Sequence, residues 1–138
     1  MFQRCSDHYY SHKSAKVLCN FEMLTENYQL YGVLYNWPAI ISDDICPTGW
    51  HIPSDEEFTE LTDFLGGESV AGDAMKSTSG WDNDGNGSNS SGWIGLPGGF
   101  RYSGGFNGSG YDGIWWSASE SGSTSWGRVL NSSIVAVY

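Results

Sequence analysis

Several groups of residues in this chain have types and spacings that could carry chemistry. Asp82-Asn83-Asp84-Gly85-Asn86-Gly87 places oxygen-bearing side chains at the first, third and fifth positions and glycine at the sixth, the front half of a calcium loop. The twelfth position, where a bidentate Glu closes such a loop, is Trp93. The preferred reading is a turn whose Asn and Asp side chains bond their own backbone; calcium at Asp82 and Asp84 is the alternative, and no cofactor is expected. Cys5, His8, His12 and Cys19 have a spacing that suits zinc, yet nothing around them marks a zinc finger. His51 stands between Trp50 and Ile52 with no identifiable Ser or Cys partner. It reads as a satisfied core residue rather than a catalyst. Glu56 and Glu57 are adjacent at a helix start, where capping explains them and a glycosidase pair is not suggested. No catalytic residue and no metal site is expected.

The carboxy-terminal segment offers a different chemistry. Tyr111, Trp115, Trp116, Trp126 and Tyr138 are interleaved with Ser119, Ser121, Ser123, Thr124, Ser125, Asn131, Ser132 and Ser133. Rigid aromatic area with small hydroxyl and amide residues between is the composition of antibody-like binding surfaces. The competing reading makes the Trp residues core and the serines ordinary solvent-facing strand positions. Strand alternation turns one of Trp115 and Trp116 inward and the other outward.

The elements that must position these residues fall into zones. Residues 1–27 are polar and weakly patterned, and read as an extension preceding a domain at 28–138. The apolar run Tyr28 to Tyr35 suits a buried strand, ended by Asn36-Trp37-Pro38, with a short helix over 38–42. Ser54 and Glu57 form a capping box, and Phe58, Leu61, Phe64 and Leu65 recur behind it at helical spacing until Gly66-Gly67. That pattern predicts a helix over 55–65, and Val70, Ala74 and Met75 a shorter one near 69–76. From residue 77 onward short β-like pieces alternate with Gly, Ser and Asn: 93–96, 99–102, 114–118, 125–130 and 134–138. Pro97-Gly98 suits a type II turn, and Asn131-Ser132-Ser133 a hairpin tip. The last apolar run reaches Tyr138 and reads as a strand cut short. Helices followed by strands predict an α+β fold. A loop as long as 76–92 carries function or is anchored by something specific.

Composition sets the bounds. The chain has 138 residues and a net charge of -10, which suits one domain. Hydrophobic residues reach 39% but aromatics 15%, so rings must supply much of the core. Residues 43–84 hold eleven acids against Lys76 alone; nucleic acid is a poor partner for such a surface, because phosphate contacts need Lys and Arg. No apolar run is long enough to span a membrane, and Met1 to Cys5 lack the apolar stretch of a signal peptide. Cys5, Cys19 and Cys46 allow one disulfide at most.

Tyr31-Gly32-Val33-Leu34-Tyr35-Asn36-Trp37, Cys46 to Ser54, Lys76 to Trp81, Leu96 to Arg101 and Trp115 to Ser119 occur in an order that resembles the Fibrobacter succinogenes major paralogous domain family, over about residues 31–130. The resemblance implies a C-type-lectin-like fold related to formylglycine-generating enzymes, with two or so helices on a small twisted antiparallel sheet and long Gly/Ser/Asn-rich loops. It also implies a role as the variable protein of a diversity-generating retroelement, whose last strands vary and form the ligand surface; Tyr111 to Ser133 matches that region in position. The chain departs from the family in lacking a closing Gly-Phe-Ser-Val-Arg-Cys-like motif, which leaves Cys46 without the partner the family offers. It also lacks the late reactive cysteine pair of the enzymes and the Glu-Pro-Asn or Gln-Pro-Asp loop of sugar-binding lectins.

The expectation is a non-catalytic binding module at a cell surface, secreted or on a virion, recognising a surface protein or glycan. Its contacts would be Tyr111, Trp116, Ser119, Glu120, Ser123, Thr124, Trp126, Arg128 and Asn131: aromatic anchors, Arg128 and Glu120 for polar specificity, and small residues for adaptable hydrogen bonds. A formylglycine-generating or related oxidase enzyme is the second expectation, and a structural surface or virion component the third.

Overall fold

The computed structural model of the chain describes residues 17–18, 26–42, 45–103 and 105–138. The zinc-spaced Cys5, His8, His12 and Cys19 lie outside these residues, as does most of the 1–27 extension. Ser54 starts the longest helix, α3 (Asp55–Phe64): its hydroxyl accepts the Glu57 amide, and the Glu57 carboxylate accepts the Ser54 amide. The helix ends in a Schellman motif, with the Gly67 amide bonded to the Thr62 carbonyl at 2.8 Å and the Gly66 amide to Asp63 at 3.0 Å. Phe58 and Thr62 form its buried stripe. Phe64, expected among the apolar positions, is 87% exposed, because the inward position one turn after Phe58 falls on Thr62.

Three further helices are short: α1 (Glu26–Tyr31), α2 (Trp37–Ile40) and α4 (Ala71–Met75). The expected strand over 28–35 is instead α1 followed by β2 (Leu34–Tyr35), which pairs antiparallel with β1 (Val17–Leu18). Short apolar runs do not separate helix from strand by periodicity, and here Gly32 closes a helical turn onto the Tyr28 carbonyl at 3.0 Å. Two antiparallel hairpins follow, β3 (Phe100–Tyr102) with β4 (Gly105–Asn107), and β5 (Asp112–Ser121) with β6 (Thr124–Asn131). The architecture is thus α+β, with few helices and small antiparallel sheets.

The core gathers Ala71 and Met75 of α4, Trp81, Leu130 of β6 and Val137, with Leu61, Leu65, Trp93 and Trp115 packed against them. Phe58, Trp93 and Trp115 meet edge to face at 5.6 and 6.1 Å, so rings do bridge helix to hairpin. Residues 134–138 are not a strand. They thread past α4, with the Gly72 amide bonded to Val135 and the Val137 amide to Glu68, and meet β6 through a reciprocal pair of bonds between Val129 and Tyr138, at 2.7 and 3.1 Å. Pro97-Gly98 forms no type II turn: the Gly98 amide bonds the Leu96 carbonyl, one residue short of the turn's span. Residues 93–96 contribute a single bridge, Lys76 with Gly95.

The 76–92 loop is anchored at both ends and in the middle. The Trp81 indole donates to Gly95 at 3.0 Å and lies 3.1 Å from the Ser77 hydroxyl, while amides of Gly87, Ser88 and Ser91 bond Ser77, Asp73 and Ala74. Gly85 lies so close to Ser132 that a Cβ there would sit 2.1 Å from the Ser132 carbonyl oxygen. Lys76, 3% exposed, donates to the carbonyls of Asn131 and Ile134 at 3.3 and 3.0 Å and lies 5.5 Å from the Trp81 ring centre. Desolvation pushes its pKa down, and Asp73 opposes this.

Candidate functional site

The β5–β6 hairpin carries eight of the nine expected contacts; Tyr111 immediately precedes it. Its strands run in register from Asp112↔Asn131 to Trp116↔Gly127, then shift: Ser117, Ala118 and Ser119 face Trp126 alone before pairing resumes at Glu120↔Ser125. The loop is Gly122-Ser123, with Gly122 at φ +64, the left-handed value that a two-residue hairpin asks of its first residue.

The bulge is where the hairpin meets α3. The Ala118 amide donates to the Pro53 carbonyl at 2.8 Å, and the Asp55 amide to the Ser119 hydroxyl at 3.0 Å. The Ser125 hydroxyl lies 2.6 Å from the Ser117 carbonyl and 3.0 Å from that of Ser119, filling the bulge from the opposite strand. Arg128 then reaches under the helix. Its Nη1 is 2.5 Å from Asp55 Oδ1, its Nη2 is 3.3 Å from the Asp55 carbonyl and 3.2 Å from Thr59 Oγ1, and its Cζ stands 5.5 Å from the Phe58 ring centre.

The nine expected residues do not form one face. Arg128 is 6% exposed and holds α3; it does not offer polar specificity at the surface, because a buried guanidinium needs the carboxylate beside it. Asn131 is half-buried and donates to Asp112 Oδ1 at 2.7 Å. Trp116 donates its indole N–H to the Tyr35 carbonyl at 2.8 Å and packs on Trp37. Trp115 turns to the other side, toward Trp93 and the core, so both rings are engaged. Ser119 is spent on Asp55. Glu120, Ser123, Thr124 and Trp126 are exposed near the tip, Glu120 on the opposite face of the hairpin from Thr124 and Trp126. Tyr111 is exposed too, but stands before the other end of β5, about 30 Å away along the strand.

His51 is exposed rather than core, and its Nε2 lies 2.8 and 3.1 Å from the two Glu57 oxygens. The Ser54 amide, then the His51 ring, holds the Glu57 carboxyl below its usual range. Among the described residues no three His, Cys, Asp or Glu gather as metal ligands. In the 82–87 segment the Gly85 amide bonds the Asp82 carbonyl, Asn86 Oδ1 accepts the Trp81 amide, and Asn83 and Asp84 take left-handed φ. Cys46 is half-buried, and burial raises its thiol pKa. No described helix is long and apolar enough to cross a membrane. The anchoring role of Asp55 escaped sequence reasoning, because a carboxylate in the first turn of a helix is accounted for by the helix dipole and Arg128 is expected on the exposed face.

The model of one family, described as Fibrobacter succinogenes major domain, matches residues 3–136. No curated protein and no solved structure matches the chain.

Proposed function

We propose that this chain, which belongs to the Fibrobacter succinogenes major domain family, is a non-catalytic binding module of C-type-lectin-like fold whose recognition surface is the tip of the β5–β6 hairpin. The observation that carries this reading is the division within the hairpin. Its base and middle are fixed by Trp116 to Tyr35, Arg128 to Asp55 and Asn131 to Asp112, whereas Glu120, Ser123, Thr124 and Trp126 are exposed at the tip. Anchored strands leave a short loop free to vary without unfolding the scaffold. Trp126, 53% exposed, supplies an aromatic anchor and the hydroxyls adaptable hydrogen bonds. The partner is a protein or glycan on another surface, and the chain is the variable product of a diversity-generating retroelement.

Two measurements test this. DNA flanking the gene should hold a near-copy of the codons for the hairpin, differing at adenines, beside a reverse transcriptase; finding neither removes the retroelement role. Trp126→Ala should abolish capture of the target surface while leaving the oligomeric state unchanged. Loss of assembly instead would make the tip a subunit contact, and turnover of a cysteine peptide would make the chain an enzyme.

A further inference from the structure

A second concave surface lies beside the hairpin, where the loop leading into α3 crosses the helix. A cleft of about 400 Å³ is lined by Trp50, His51, Pro53, Glu57, Phe58 and Trp93, among others. Across Trp50 and His51, which line both, lies a hollow of about 390 Å³ walled by Ile40, Ile41, Ile45, Ile52 and Cys46. Each has the size of a small-ligand site. Trp50 is 54% exposed on the partition between them. The cleft's ionisable side chains are His51 and Glu57, and the Glu57 carboxylate is fixed in place by the Ser54 amide at 2.8 Å and by His51. Of the five acidic residues on α3, which bears no basic one, Glu57 is the one that lines the cleft.

We propose that this cleft binds a lysine side chain, plain or N-methylated, presented by a partner polypeptide. An ammonium group is attracted to an indole face and finds its countercharge in the Glu57 carboxylate. The aliphatic stem lies along apolar wall, and the isoleucine hollow takes an apolar neighbour of that lysine. Charge complementarity favours this occupant over a sugar. A hexose needs several converging donors and acceptors, whereas the cleft's titratable side chains are His51 and Glu57 alone among apolar and aromatic walls. None of the nine expected contact residues lines either cavity, so the proposal stands or falls apart from the hairpin reading.

The test is an NMR titration of the folded protein with Nα-acetyl-lysine methylamide and its trimethyl form, using the uncharged norleucine analogue and methyl β-glucoside as controls. Saturable shifts at the Trp50 indole and the His51 amide are expected with both lysine probes, weakening as salt rises. Glu57→Gln keeps an acceptor at the capping-box position while removing the charge, and should weaken binding about three- to tenfold. Trp50→Ala should abolish it, with the remaining spectrum intact because that ring is exposed. Trp126→Ala should leave the titration unchanged. Equal binding of norleucine, binding of the glucoside in place of lysine, or no shift at Trp50 with either lysine probe would each overturn the proposal.

Discussion

Asp55 receives Arg128 twice, on its carboxylate and on its backbone carbonyl, so one residue in the first turn of α3 holds a strand 73 positions later in the chain. The same residue donates its amide N–H to the Ser119 hydroxyl. The start of α3 is thereby the socket into which the hairpin plugs, and the sequence from Pro53 to Asp55 positions the proposed recognition tip.

Removing the plug should be costly. Arg128→Ala strands the Asp55 carboxylate, and is expected to lower stability by about 2–4 kcal/mol, the value for a buried pair reduced because Asp55 is partly open to water. A double-mutant cycle with Asp55→Ala, followed by urea unfolding, should give strong coupling; additive losses would remove the socket.

Tip substitutions should behave oppositely. Ser123→Ala and Thr124→Ala change exposed side chains, and each should shift stability by less than about 0.5 kcal/mol. Ser119→Ala, by contrast, removes the acceptor of the Asp55 amide and should cost about 1 kcal/mol. Thermal melts of the three variants compare them directly.

The helix start carries its own pH dependence. Because Glu57 titrates below its ordinary value, its contribution is fully present above the unfolded carboxyl range. It is lost as pH falls through the lowered folded value. Amide exchange in the first turn of α3 should therefore accelerate only in that acid window. Ser54→Ala should loosen the same turn at neutral pH, by about 1 kcal/mol.

Gly85 admits no side chain. In Gly85→Ala the new methyl meets the Ser132 backbone rather than a movable side chain, so the 82–87 turn or the 132–134 turn must shift. Overpacking of this kind costs about 1–3 kcal/mol. A drop in the melting temperature with altered amide shifts at both turns is the expected result.

The sequence made the local devices readable. Ser54 and Glu57 lie three residues apart and announce α3, whereas the hairpin tip expected at Asn131-Ser132-Ser133 falls instead at Gly122-Ser123. What could not be read were facts settled by distant partners. Nothing near Arg128 says that it points inward, since its carboxylate lies before Phe58 in another element. The apolar run at 28–35 carries no signal separating helix from strand, and Phe64 looks as apolar as Leu61 until packing assigns the stripe. The proposed contacts narrowed for that reason from nine residues to the few that no tertiary partner claims.

The bulge in β5 sets three residues against one, an even step of two. Alternation on the far side of Ser119 therefore stays in phase with alternation at the base. Insertions of two residues on each strand would lengthen the projecting finger while preserving which side chains point outward. A lone insertion would invert every position beyond it. Reach and display can thus be tuned separately, as in a ladder extended rung by rung.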